Sequence, residues 1–145
     1  PLEEIGTDPE RLRSYTTDFM SNQYTLGVDQ PWRFHTFRKT GGYANQPLDG
    51  LWARAPYLHN GSVPTLRHLL MPAAERPARF RVGNDVYDQD AVGFAWDQAE
   101  RQGETFPEFD ASRLGDSNAG HEGPAYGTDL PDADKAALLE YLKTL

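Results

Sequence analysis

The chain has 145 residues, 14 basic and 22 acidic side chains, a formal net charge of -8, and no cysteine. That length suits one domain, and a net-negative surface repels phosphate backbones, which excludes nucleic acid as a partner. The missing cysteines exclude disulfides, thiolate metal sites, cysteine nucleophiles and thioether attachment within the chain, and no apolar run is long enough to span a membrane.

Apolar residues make up 38% of the chain and its mean hydropathy is -0.70, while 13 glycines and 11 prolines favour loops over long regular elements. Three tryptophans, seven tyrosines and seven phenylalanines nevertheless argue for order. The expectation is a modest core completed by a neighbouring domain or a large apolar cofactor. The sequence begins at Pro1 without a visible signal peptide. It reads as a processed chain or, preferably, as a fragment of a longer one.

In chain order, TDPERLRSYTTDFM predicts a helix. Asp8 caps it, Pro9 occupies its first turn, and Leu12, Tyr15, Phe19 and Met20 share one face. From Ser21 to Leu48 the sequence reads as aromatic loop with a Gly41-Gly42 turn. A short helix is predicted from Pro64 to Met71, with Leu66, Leu69 and Leu70 inward and Pro72 as its stop. RFRVGNDVYD reads as one or two extended pieces around a Gly-Asn turn. Gly93 to Asp116 reads as irregular, anchored by Phe94, Trp96, Phe106 and Phe109. PDADKAALLEYLKTL predicts a closing helix, with Ala136, Leu139 and Leu142 on one face, joined by Leu138 and Leu145. Its acidic start and Lys143 near its end suit the helix dipole.

Four histidines carry the candidate chemistry. His68 is expected on the solvent side of its short helix, and His35, in PWRFHTF, as a packing or hydrogen-bonding residue. His59 and His121 each sit in a loop with glycines, which admit close approach of backbone or a flat ligand. Imidazole is the commonest protein ligand for a transition metal. Two readings stay open for both: loop fixation by hydrogen bonds, ahead on spacing alone, and metal ligation.

Other chemistries fit less well. GSVP after His59 is not a G-x-S-x-G elbow, so a serine hydrolase is disfavoured. No H-E-x-x-H is present, which disfavours a zinc hydrolase. Asp85, Asp88 and Asp90 miss the Ca²⁺-loop pattern and read as solvated surface. Asn60-Gly61-Ser62 matches a glycosylation acceptor, a pattern short enough to arise by chance.

YANQPLDGLWARAPYLHNGSVPTLRHLL resembles the di-haem cytochrome c peroxidase superfamily, and within it the rubber-oxygenase-like branch. IGTDPER, GDSNAGHE and ALLEYLKTL extend the resemblance over roughly Glu4 to Leu145. It implies a mostly α, cytochrome c-like fold with short helices, long ordered loops and little strand. The expected unit is a single, partial domain over residues 1–145. In that family the C-terminal domain carries haem c attached through C-x-x-C-H, and this chain departs from the pattern by lacking the motif.

Residue by residue, the resemblance implies that His121 is the distal axial ligand of the haem iron. Peroxidases proper use a methionine there, a role that the contexts of Met20 and Met71 do not suit. His59 matches the histidine beside the haem edge and propionates, and Trp52 and Tyr57 would supply apolar wall around the porphyrin. The backbone carbonyls of Arg54 and Pro56 match two Ca²⁺ ligands between the haems.

The implied partners are the N-terminal haem domain of the same parent protein and a small electron-donor protein, in a periplasmic or secreted setting. The chain alone is expected to be inactive in peroxide reduction. Two rivals stand beside this electron-transfer reading: a haem-free binding or interaction domain that retains the scaffold, and a noncovalent haem site using His59 or His121.

Overall fold

The computed structural model describes residues 1–33 and 39–145. His35 falls on 34–38, outside the described residues, so its packing reading has no counterpart below. The described chain opens with three helices: α1 (Leu2–Ile5), α2 (Glu10–Arg13) and α3 (Thr17–Thr25). The predicted first helix is thus two. The Asp8 carboxylate accepts from the Glu10 amide at 2.8 Å, as its capping role requires. Thr16 then turns extended, and its hydroxyl accepts from the Phe19 amide at 3.2 Å. A threonine hydroxyl in this position competes with the helical ladder and starts a new helix instead of continuing the old one. The anticipated apolar face is only half-buried at Leu12, Tyr15 and Met20, and Phe19 is exposed.

A single 3₁₀ turn at Leu51–Ala53 leads into a loop closed by reciprocal backbone bonds between Tyr57 and Val63. α4 (Leu66–Leu69) follows, shorter than predicted because Thr65 caps it and Leu70 already leaves helical geometry. Leu66 and Leu70 are buried as expected, with Leu69 partly so. His68 is not on the solvent side. Its ring is buried, with Nδ1 2.7 Å from Thr65 Oγ1 and its edge against Trp96. The cap pulls residue 68 back over the first turn, where a helix of one turn has no true outer face.

The fold is not mostly α. Helix accounts for 29% of the described residues and strand for 12%, a mixed composition. β1 (Arg79–Arg81), β2 (Tyr87–Asp88), β3 (Gly93–Phe94), β4 (Glu100–Arg101), β5 (Glu104–Thr105) and β6 (Glu108–Asp110) form three antiparallel pairs, β1 with β6, β2 with β3 and β4 with β5. The segment read as irregular therefore holds four of these strands. The extended pieces around Gly83-Asn84 exist, but they pair elsewhere. Phe80 stacks on its cross-strand partner Phe109 with ring centroids 4.9 Å apart, and Arg79 and Arg81 face Asp110 and Glu108. Cross-strand ring and charge pairs of this kind stabilise even two-residue ladders.

α5 (Asp132–Leu142) closes the chain, matching the predicted helix. The core joins it to the middle of the chain: Tyr57, Val63, Leu66, Leu70, Val92 and Leu139 form one buried cluster. Gly93 lets the strand β3 cross Thr65 closely, since a Cβ there would lie 2.5 Å from the Pro64 carbonyl oxygen. The core thus ends directly under the loop that carries His59.

Candidate functional site

The loop from Tyr57 to Val63 holds His59 by geometry more than by contact area. A cis Ala55-Pro56 bond precedes it, Leu58 takes a left-handed φ of 64°, and Gly61 takes 70°. Asn60 fixes the turn to a distant segment. Its Nδ2 donates to the carbonyls of Gly115 and Ser117, each at 3.0 Å, and its Oδ1 accepts from the Ser62 amide. Ser62, fully buried, donates its hydroxyl to the Ser117 carbonyl at 3.0 Å. With both Asn60 amide hydrogens committed, the glycosylation pattern is spent on structure.

Ser117 begins the segment that ends in His121. The two histidine loops are therefore one unit, although 62 positions separate them. The Ile5–Asp8 segment lies against both. Thr7 Oγ1 is 3.3 Å from His59 Nδ1, and the Ile5 carbonyl accepts from the His121 amide at 2.9 Å. Gly120 permits this approach: a Cβ there would lie 2.6 Å from the Thr7 nitrogen. Thr7 and Asp8 are both buried and polar.

His59 stacks on Tyr43 with ring centroids 4.6 Å apart and 24° between planes. His121 meets Tyr126 edge to face at 5.0 Å. Among the described residues each imidazole leaves a buried nitrogen without a hydrogen-bond partner, Nε2 of His59 and Nδ1 of His121, and the buried Tyr43 hydroxyl likewise has none. A buried polar group left unsatisfied costs about 1–3 kcal/mol, so such groups ask for an explanation.

Burial holds the His59 pKa below the ordinary imidazole range, helped by Arg11 and opposed by Asp8. Arg11 donates to the His59 carbonyl at 3.0 Å. Burial also lowers the His121 pKa, helped by Arg76 and by His59 itself. Both shifts favour the neutral imidazole, the form that binds a metal.

The other sequence candidates gather elsewhere. Tyr57 is a core residue, and its hydroxyl donates to the Leu51 carbonyl at 3.2 Å. Trp52 is half-exposed on the 3₁₀ turn, and its carbonyl accepts from the Tyr87 hydroxyl. Among the described residues, no hydrogen bond or ring contact joins Trp52 or Tyr57 to either histidine. Arg54 spends its guanidinium on the Pro47 and Asp49 carbonyls, at 2.8 and 2.7 Å. Its own carbonyl and that of Pro56 flank the cis bond. The described residues contain no group of three or more His, Cys, Asp or Glu side chains able to hold a metal.

Sequence reasoning missed Thr7, Tyr43, Asn60 as a tether, and Arg76. Thr7 lies in the IGTDPER stretch and Tyr43 opens the YANQP stretch, so the resemblance pointed at their segments without singling them out.

Haem fits these residues in part. An uncommitted, neutral imidazole on an immobilised loop is what axial ligation of iron requires, and His121 meets that condition. Thioether attachment cannot come from this chain, because it has no cysteine.

Residues 42–81 match the family model described as RoxA-like, cytochrome c-like. The match includes Tyr43, His59 and Arg76 and is narrower than the resemblance expected over Glu4 to Leu145. Two proteins of Sinorhizobium fredii (strain NBRC 101917 / NGR234) are also similar. Uncharacterized protein y4iJ is 49% identical over 109 residues, covering 71% of this chain and 18% of its own length. Uncharacterized protein y4iM is 41% identical over 123 residues, covering 71% of this chain and 27% of its own length. The chain spans less than a third of either relative.

Proposed function

From a chain that carries a RoxA-like, cytochrome c-like segment at residues 42–81, we propose a haem-binding electron-transfer domain of a larger di-haem oxidoreductase. The observation that carries this reading is the His121 imidazole. Its loop is tied down on both sides while its buried Nδ1 has no hydrogen-bond partner among the described residues. When bound, the haem iron supplies one-electron transfer, at a potential tuned by its axial ligand and surroundings.

This chain's residues divide the remaining work. His121 would provide a ring nitrogen to the iron. His59, held by Thr7 and stacked on Tyr43 with its Nε2 unpaired among the described residues, would be the hydrogen-bonding residue beside the haem. Trp52 offers a flat apolar surface, and Tyr57 stiffens the base of the loop from within the core. A Ca²⁺ on the Arg54 and Pro56 carbonyls would take its charged ligands from another domain. Covalent attachment of the haem, the second haem and the substrate chemistry belong to the rest of a periplasmic or secreted parent protein. A small electron-donor protein would feed it.

Titration with haemin, followed in the Soret region, tests the proposal. The expected result is a saturable shift with low-spin bands, lost in His121→Ala. Unchanged binding in that variant, or no binding to the parent chain, overturns it.

The absence of cysteine favours a second reading, a haem-free interaction domain on the same scaffold. It predicts a cooperative thermal transition that haemin does not move.

A further inference from the structure

Arg76 is 4% exposed, yet among the described residues no carboxylate forms an ion pair with its guanidinium, and Glu122 acts on it only through space. Its five hydrogen bonds all go to backbone carbonyls, from two segments far apart in sequence. Nε donates to Met71 at 3.0 Å and Nη2 to Leu69 at 3.3 Å, at the end of α4. Nη1 donates to Asn118 at 2.6 Å and Gly120 at 2.8 Å, and Nη2 reaches His121 at 3.2 Å. The planar fork is thus saturated, and α4 is stapled to the histidine loop. A lysine could not reproduce this, because one ammonium cannot reach both segments with fixed directions.

The loop needs such a staple. His121 takes a left-handed φ of 53°, unusual for a residue with a side chain. Its amide is held by Ile5 and its carbonyl by Arg76. The next residue is held as well, since Glu122 Oε1 accepts from the Ala73 amide at 2.6 Å. Backbone held from two sides, with a ring nitrogen left unpaired, is the arrangement of a preorganised ligand.

We propose that Arg76 is the positioning residue for His121, fixing the 118–121 backbone so that the imidazole keeps one orientation, edge to face with Tyr126, and its Nδ1 has no hydrogen-bond partner among the described residues. The purpose of that orientation rests on the haem reading above; the positioning itself does not.

The test measures His121 without haem. Side-chain couplings in NMR report its χ1 rotamer in the parent chain, Arg76→Lys and Arg76→Gln, with Arg79→Gln as an exposed control. The parent and the control are expected to show a single rotamer. Both Arg76 variants are expected to show averaged couplings, while the Leu66 core signals stay in place in Arg76→Lys. A folded Arg76 variant with parent-like His121 couplings overturns the proposal. Loss of the whole fold in both variants overturns it too, because Arg76 would then serve global stability. A second arm adds haemin, and Arg76→Lys is expected to weaken binding by about 10- to 100-fold, as for other residues that orient a ligand. If haemin binds none of the proteins, the haem reading fails while the coupling comparison still decides the role of Arg76.

Discussion

Asn60 Nδ2 donates to the Ser117 carbonyl at 3.0 Å across 57 positions of sequence, and this contact makes one site of two histidine loops. Replacing Asn60 with alanine removes that bond and its neighbour to Gly115, leaving the half-buried Gly115 carbonyl unpaired and the Ser117 carbonyl with the Ser62 hydroxyl alone. Unmade bonds of this kind cost about 1–3 kcal/mol. The expected outcome for Asn60→Ala is a lower denaturation midpoint and faster amide exchange at Ser117 to His121, measured by urea titration and hydrogen exchange.

Gly120 sits at φ +93° with Ile5 and Thr7 backbone where a Cβ would go, whereas Gly41, at φ +70°, has nothing within 4 Å. A side chain at such a φ strains the backbone by about 1–3 kcal/mol. Gly41→Ala should lose no more than that. Gly120→Ala should lose clearly more, because the atoms it meets are backbone and cannot rotate away. Paired thermal melts compare the two, and equal losses would contradict the close approach of residues 5–7 to residue 120.

Burial keeps the pKa values of His59, His68 and His121 below the ordinary imidazole value of 6.5. In the unfolded chain these rings take up protons near that value; in the folded chain they resist. The unfolded state therefore binds more protons as pH falls, and stability declines with it. The expected melting temperature is flat above about pH 7 and drops as pH falls through 6.5 and below. His121→Gln should flatten part of that drop; an unchanged profile would show that His121 titrates normally.

Leu66 is 1% exposed at the centre of the core, and Leu114 is 87% exposed. Leu66→Ala should cost about 2–5 kcal/mol through lost burial and a cavity. Leu114→Ala should stay within about 0.5 kcal/mol, as surface changes away from special features do. Chemical denaturation of the two variants checks the placement of the core.

The sequence by itself determined the local features whose causes lie within a few residues. Asn60-Gly61 makes the turn at His59. Asp8 caps its helix, and the spacing of leucines from Asp132 onward makes α5. The stretch around APYLHNGS carried the resemblance, and residues 42–81, which contain it, match a RoxA-like, cytochrome c-like family model. The extended pieces at 79–81 and 87–88 were legible, but the four strands of two or three residues from Gly93 onward, and every pairing, lay beyond this kind of reading. Alternation needs four or more residues to register, so the pairing of β1 with β6 and the mixed fold came only from tertiary contact. His68 turned inward for a related reason, since a single helical turn capped by Thr65 does not follow the face rule of a longer helix.

The union of the two histidine loops was likewise decided by tertiary structure. Asn60, Ser62 and Arg76 all bind backbone carbonyls 42 to 57 positions away. Every residue has a carbonyl, so its partner leaves no mark in the sequence; only the folded path of the chain selects which ones these side chains meet.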